Sequence, residues 1–315
     1  MRVFVTGGAG FIGHHLVKTL LDDNHQVNIL DIVSKENSRV KMLVKMGANY
    51  FQGDIRDVSV VASAGKGCTH VVHLAAQTSV AASFVDKAEN HQINVNGTRN
   101  IIDFVNSNDI VKVLAASSAA VYGDCEQLPL GEEMAGNCLS PYAESKYQNE
   151  TELLSLVNDK TSVSVLRFFN VYGQGQGIDS NYGAVIPSFI DKITSGLSPT
   201  IFGNGKQSRD FIEVSDVVGL IKQILLSEKQ LSNDVYNVAT QTETSIEQLL
   251  RIIANAASKS NTIKAVPSAI YVDKRGGDIT SSCANISKVK SAFDWEPKIA
   301  LEQGISALVE HELKG

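Results

Sequence analysis

The segment Tyr142-Ala143-Glu144-Ser145-Lys146 spaces a phenol and an ammonium four residues apart. On a helix both side chains share one face. A phenol with an ordinary pKa of about 10 is a poor base at neutral pH, but a cation beside it stabilises the phenolate and lowers that value. Tyr142 could then take a proton from a hydroxyl group. The same spacing also arises on ordinary surface helices, so by itself it leaves both readings open. Ser118 adds a third group. It follows the β-branched run Val111–Ser117, within Ser117-Ser118-Ala119-Ala120-Val121-Tyr122-Gly123. A serine there can bond a reacting oxygen and relay its proton, or simply occupy a turn between strand and helix.

A proton abstraction of this kind needs an acceptor for the hydride left behind, and the N-terminal segment offers one. Thr6-Gly7-Gly8-Ala9-Gly10-Phe11-Ile12-Gly13 follows a strand and opens a helix, with glycines in a G-x-x-G-x-x-G pattern. Gly7 permits a tight turn, Gly10 lets the backbone approach a pyrophosphate, and Gly13 allows close packing of the helix. The first helical residues, Phe11 and Ile12 with Gly13, turn their N–H groups towards the negative charge. Asp31 ends the second strand, where a carboxylate bonds the adenine ribose and repels a 2′-phosphate, so NAD is expected rather than NADP. A plain turn aspartate is the alternative. Asp54 and Ile55 end the third strand near the expected adenine, and Leu74-Ala75-Ala76-Gln77 ends the fourth, where small residues let the cofactor lie against the backbone. His73, His14 and His15 read as structural or surface histidines.

These groups require a scaffold. Val3–Thr6, Gln26–Asp31, Asn49–Gly53, His70–Leu74, Val111–Ser117 and Val163–Phe168 read as strands, with helical periodicity over Phe11–Asp22, Glu89–Ser107 and Pro141–Val157 between them. Strands alternating with helices predict an α/β fold, a Rossmann-type doubly wound parallel sheet. After about residue 170 the alternation breaks down. Gly173–Gly183 and Leu197–Gln207 read as loops, and Asp234–Ala239 as a strand rejoining the first sheet. The expected division is a dinucleotide domain at 1–170, rejoined by 213–241, and a smaller discontinuous substrate-binding domain from 171–212 and 242–315 that closes over the strand ends.

With 28 basic and 34 acidic residues, a net charge of −6 argues against nucleic acid as a partner. The four cysteines are scattered without C-x-x-C spacing, so neither a zinc site nor a disulfide framework is expected. No metal is called for. No apolar run approaches the roughly 20 residues needed to cross a bilayer, and a strand beginning at Arg2 leaves no room for a signal peptide. The expected location is the cytoplasm.

From Arg2 to about Gly304 the chain resembles the extended short-chain dehydrogenase/reductases, and among them the nucleotide-sugar 4-epimerases. The likeness is carried, in order, by the glycine turn, Asp54, the His73–Gln77 segment, Asn96, Ser118, Tyr142, Lys146, Arg167-Phe168-Phe169-Asn170-Val171-Tyr172-Gly173, Arg209-Asp210-Phe211 and Arg275-Gly276-Gly277-Asp278. It implies that Tyr142 abstracts the C4 hydroxyl proton while tightly bound NAD takes the C4 hydride, and that the 4-keto sugar turns before the hydride returns. Lys146 would bond the nicotinamide ribose and tune Tyr142. Asn96 and Phe168 would line the cofactor, with phenylalanine where many relatives have tyrosine. Asn170, Arg209 and Arg275 would grip the diphosphate of a UDP-sugar, and Phe202 would lie near the uracil. A homodimer is implied, with helices 89–107 and 141–157 paired about a twofold axis.

Within the family, Ala119-Ala120 stands where 4,6-dehydratases carry an acid pair, and Arg209-Asp210-Phe211 where decarboxylating members show Arg-Ser-Phe. Epimerisation is therefore expected. Ser282 falls at the family's gate beside the sugar C2 substituent, where a small residue admits an acetamido group. The stretch Tyr182-Gly183-Ala184-Val185-Ile186-Pro187 also resembles enzymes acting on N-acetylhexosamines. UDP-N-acetylglucosamine and UDP-N-acetylgalactosamine are the expected substrates, with UDP-glucose/UDP-galactose as further candidates. The rivals are a UDP-glucuronate 4-epimerase and a non-catalytic nucleotide sensor on the same fold.

Overall fold

The computed structural model describes residues 1–156, 160–177, 184–228, 233–259, 266–274 and 279–314. The chain begins β1 (Arg2–Thr6), α1 (Phe11–Asp22), β2 (Gln26–Asp31), α2 (Ser38–Lys45), β3 (Asn49–Gln52), α3 (Val58–Gly65), β4 (His70–His73), α4 (Val80–Val85) and α5 (Lys87–His91). A π-helical turn (Gln92–Asn96) leads into α6 (Gly97–Asn106), then β5 (Lys112–Ser118), α7 (Pro141–Leu154) and β6 (Ser162–Phe168). The remainder comprises β7 (Asn170–Tyr172), α8 (Val185–Thr194), β8 (Thr200–Phe202), β9 (Ser208–Glu213), α9 (Val214–Leu226), β10 (Asp234–Val238), β11 (Glu243–Ser245), α10 (Ile246–Lys259), β12 (Ile270–Val272), α11 (Ser287–Phe293) and α12 (Leu301–Glu312).

Two compact units result. The first takes residues 1–123, 132–168 and 218–237; the second takes 124–131, 169–217 and 238–315. The segment 124–131, which the sequence reading left with the N-terminal domain, thus packs with the second unit.

In the first unit seven strands lie in the order β10-β6-β5-β4-β1-β2-β3, with β1–β2, β1–β4, β2–β3, β4–β5 and β5–β6 all parallel. The strand order reverses between β1 and β4, the place where open α/β sheets bind ligands. Strands buried on both faces read as near-continuous apolar runs: in β2 every residue after Gln26 is buried. One face packs Phe4, Val71, Val113 and Val163 against Ile101 of α6 and Leu153 of α7. On α1 the buried Gly13, Leu16, Val17 and Leu20 recur at helical spacing.

The expected single helix over 89–107 is interrupted. The π turn at Gln92–Asn96 inserts one extra residue between α5 and α6, which rotates the side chains before it relative to those after it.

The second unit holds a three-stranded sheet, β11-β9-β7, and a two-stranded one, β12-β8. Their strands are three to six residues long, and β8 falls inside a stretch expected to be loop. Ile186 and Phe189 of α8, Leu249 and Ile253 of α10 and Ile305 of α12 form the core.

Candidate functional site

The turn after β1 is built for close approach. Gly7 has φ 69°, and a Cβ there would come 2.7 Å from the Ala75 nitrogen. A Cβ on Gly13 would lie 2.2 Å from the Gly7 carbonyl oxygen, so only glycine lets α1 meet the turn. Among the described residues, a Cβ on Gly10 would meet within 4 Å only that same oxygen, at 3.1 Å, so this face of the turn is open to a ligand. No side chain caps α1 at Gly10. The N–H groups of Phe11, Ile12 and Gly13, which have no partner within the helix, are left to an anion. These features fit a dinucleotide pyrophosphate.

Asp31 braces the turn: Oδ2 accepts from the Ala9 N–H at 2.9 Å and Oδ1 from the Val33 N–H at 3.1 Å. Arg39 donates to the Ala9 carbonyl from the other side, 3.2 Å away. Asp54 accepts from the Arg56 N–H and side chain, and that guanidinium holds its carboxyl below the usual range. Ile55 is buried against Gly97. Leu74 donates from its N–H to Thr6 O at 3.1 Å, fixing the end of β4 beside β1. His73 is a strand-end brace between the hydroxyls of Thr6 (2.7 Å) and Thr98 (2.9 Å), and burial brings it down to about 3.

The asparagine near this strand end differs from expectation. Asn96 spends its amide on Gln92 and Arg99 at the surface. The π turn instead directs Asn94 inward, where it accepts from the Gln77 N–H at 2.8 Å and donates to Gln77 O at 3.1 Å and Ser145 Oγ at 3.0 Å. Asn94 is a residue the sequence reading missed. Its signal, two asparagines in Asn94-Val95-Asn96-Gly97-Thr98, does not say which of them faces in.

Ser118 closes β5 and Tyr142 and Lys146 stand on α7, with Phe168 in register opposite Ser118. The Ser118 hydroxyl is placed to favour ionisation of the Tyr142 phenol, and its oxygen accepts from the Ala120 N–H at 3.2 Å. Lys146 Nζ lies 6.0 Å from the Tyr142 ring centroid and donates to Ala116 O at 2.9 Å. Burial pushes the Tyr142 phenol up, and the Ser118 hydroxyl only partly offsets it. Burial also lowers Lys146 to about 8, against an upward pull from Glu150. The phenol, expected to be lowered, is therefore raised in the chain alone, where desolvation is the largest influence.

In the second unit, Asn170 is an exposed residue at the start of β7, in register with Phe211 of β9. Arg209 lies on β9, with Nη1 donating to Ser208 O at 2.7 Å. Val185 opens α8 and Phe202 ends β8, its carbonyl held by Gln207 at 2.6 Å. Ser282 is 1% exposed, and its segment is clamped throughout. Ser208 N–H donates to Thr280 O (3.0 Å), Leu130 N–H to Cys283 O (2.8 Å), Thr280 N–H to Asp124 (2.9 Å) and Ala284 N–H to Asp210 (3.2 Å). Burial pushes the Asp210 carboxyl up, while bonds from Thr240, Ala284 and Gln241 pull it down. Asp124, Leu130 and Asp210 thus hold the segment that carries Ser282, through contacts that no local pattern announced. Arg275 and Tyr182 lie outside the described residues. Among the described residues no cluster of His, Cys, Asp or Glu could hold a metal, and no helix is long and apolar enough to cross a membrane.

The sequence pattern of the NAD dependent epimerase/dehydratase family matches residues 3–239, well over half the chain. The chain belongs to this family. It is an NAD-dependent enzyme of the extended short-chain dehydrogenase/reductase type. A putative UDP-glucose 4-epimerase of Methanocaldococcus jannaschii is 38% identical, over 98% of this chain and 97% of the relative. The solved UDP-N-acetylglucosamine 4-epimerase of Methanobrevibacter ruminantium, in complex with UDP-N-acetylmuramic acid, superposes with a TM-score of 0.90 at 33% identity, covering 99% of this chain and 98% of the other. The UDP-glucose 4-epimerase of Thermus thermophilus, in complex with NAD, gives 0.87 at 31% identity, covering 99% and 98%. In this NAD-dependent family member, the glycine turn and the uncapped start of α1 are the elements suited to the cofactor's pyrophosphate.

Proposed function

We propose that the chain interconverts C4 epimers of UDP-sugars, with UDP-N-acetylglucosamine and UDP-N-acetylgalactosamine as its substrates. The observation that carries the reading is the grouping of Ser118 at the end of β5 with Tyr142 and Lys146 on α7, Lys146 Nζ lying 6.0 Å from the Tyr142 ring centroid. It gains support from relatives named as UDP-sugar 4-epimerases. NAD, when bound, supplies the hydride acceptor and a positively charged ring. Tyr142 takes the C4 hydroxyl proton, and Ser118 holds the reacting oxygen and relays the proton. Lys146, which would bond the cofactor ribose, adds positive charge that helps a buried phenol ionise. The 4-keto sugar then turns so that the hydride would return to C4 from the opposite face, and Tyr142 gives its proton back to the C4 oxygen. Asn170, Arg209 and Arg275 hold the diphosphate. Phe202 lies against the uracil, with Val185 beside the sugar. Ala119 and Ala120, in the turn after Ser118, offer no carboxyl group to eliminate water.

The N-acetyl assignment rests on Ser282, a small side chain on a clamped segment. Purified protein is to be incubated with UDP-N-acetylgalactosamine, first without added cofactor, and the anomeric protons followed by NMR. UDP-N-acetylglucosamine should appear, and Ser282→Tyr should abolish that conversion while sparing UDP-galactose. No conversion even with added NAD removes the N-acetyl assignment and brings UDP-glucuronate and UDP-glucose forward.

The chain is also read as a homodimer through α5, α6 and α7. Tyr147 on α7 and Phe84 and Val85 on the adjacent α4 are exposed apolar side chains, 39%, 52% and 89% accessible. Sedimentation showing only monomer at micromolar concentration would reject that pairing.

A further inference from the structure

One buried ion pair ties together the strand and helix that carry Ser118, Tyr142 and Lys146. Glu150 follows Lys146 by one helical turn on α7, and Arg167 lies on β6; both are almost wholly buried. The contact is a two-pronged fork, Nε to Oε1 at 2.9 Å and Nη2 to Oε2 at 2.7 Å. Glu150 Oε1 also accepts from the hydroxyl of Ser117, the residue before Ser118. The remaining arm of Arg167 donates to the Tyr122 hydroxyl at 2.9 Å and to Glu132 O at 2.7 Å. Its guanidinium carbon sits 5.0 Å from the Tyr122 ring centroid. Tyr122 in turn donates to Asn237 on β10, 2.6 Å away. The fork therefore grips the Ser118 turn on both sides, at Ser117 and at Tyr122, and holds α7 to the same point.

We propose that Glu150 and Arg167 are positioning residues: they set the register of α7 against the end of β5, and with it the reach of Tyr142 and Lys146 towards Ser118. This rests on the roles given to those three residues above. Stability does not account for the pair, because well-packed apolar side chains of similar volume hold a helix on a sheet as well as or better than a buried ion pair. Apolar contacts are non-directional and tolerate a small slide, whereas a bidentate fork does not. Hydrogen bonds and the charge of Glu150, with Tyr122, outweigh burial and raise Arg167.

Glu150 also supports the charge of Lys146 against desolvation. The groups facing Lys146 are Tyr142 and Glu150 on its own helix and His73 on β4, which is neutral at physiological pH. Arg167 faces Glu150 from β6.

The test compares the wild type with Glu150→Met/Arg167→Met, Arg167→Lys and Glu150→Gln. Melting temperature, NAD binding by fluorescence quenching, kcat and KM on the turned-over UDP-sugar, and the pH profile of kcat are measured for each. The double variant should fold and bind NAD while kcat falls at least ~100-fold, the loss expected when reacting groups move by an ångström, with KM changed less than about threefold. Arg167→Lys should not restore kcat, since an ammonium cannot form the fork. In Glu150→Gln the Lys146-dependent limb of the profile should move to lower pH. A folded double variant with kcat within about threefold of wild type overturns the proposal. If the double variant does not fold, Glu150→Gln decides: an unshifted profile with unchanged kcat overturns it equally. A wild type that turns over no UDP-sugar sinks the functional reading instead. The positioning claim is then read from the ultraviolet titration of Tyr142, taken as the difference from Tyr142→Phe, which Glu150→Gln must shift.

Discussion

At the scale of single residues, Tyr142 experiences opposing influences of unequal size. Burial disfavours its phenolate, and the Ser118 hydroxyl favours it. The i,i+4 spacing of Tyr142 and Lys146 was plain in the sequence because it depends only on helix geometry. The direction of the shift was not, because desolvation depends on the surroundings that α7 packs against. Tyr142→Phe removes the proton acceptor with little change in volume. Turnover of the UDP-sugar is expected to fall by about 10²–10⁴-fold with NAD affinity unchanged, as followed by single-turnover kinetics and cofactor fluorescence. A variant that keeps more than about a tenth of wild-type kcat would move the base elsewhere. The same dependence on surroundings explains Asn94 and Asn96. Both lie in one short motif, and only the π turn decides that Asn94 meets Gln77 and Ser145.

At the scale of elements, α7 begins where the chemistry needs it to. Ser140 caps the helix, its Oγ accepting from the Ala143 N–H at 3.1 Å, and Pro141 occupies the first turn. Tyr142 therefore sits in a first turn whose geometry is set by a side-chain cap. Ser140→Ala should cost about 1 kcal/mol of stability, read as a lowered urea midpoint at unchanged m. It should also lower kcat more than it raises KM, because the fraying turn carries the phenol. An unchanged urea midpoint would show that tertiary packing alone holds this helix start. Elements with long, strongly apolar runs, such as β2 and α1, were readable from periodicity to the residue. The short strands β7, β8, β11 and β12 were not, since three residues carry too little alternation to register.

At the scale of the whole molecule, two buried histidines couple folding to pH. Burial lowers His73 from an ordinary 6.5 to about 3, and burial with the neighbouring His15 lowers His14 to about 4. Between those values and 6.5 the unfolded chain binds more protons than the folded one, so stability is full above about pH 6.5 and is lost as pH falls below it. Each group contributes up to about 1.4 kcal/mol per pH unit in that window. The melting temperature should drop between pH 7 and pH 5, and His73→Asn, which keeps a bonding group between Thr6 and Thr98, should flatten the drop. An equal slope in wild type and variant would assign the acid sensitivity to other groups.

The sequence by itself determined the parallel α/β sheet, the glycine turn, the Tyr142–Lys146 spacing and the position of Ser118 at a strand end. Each of these is encoded in the periodicity or steric needs of a contiguous segment. Tertiary structure alone decided that β10 lies beside β6 and that residues 124–131 pack with the second unit. It also decided that Asp210 and Asp124 clamp the Ser282 segment and that Glu150 meets Arg167. Those are pairings between residues distant along the chain, and their partners are chosen by which surfaces the folded core brings together.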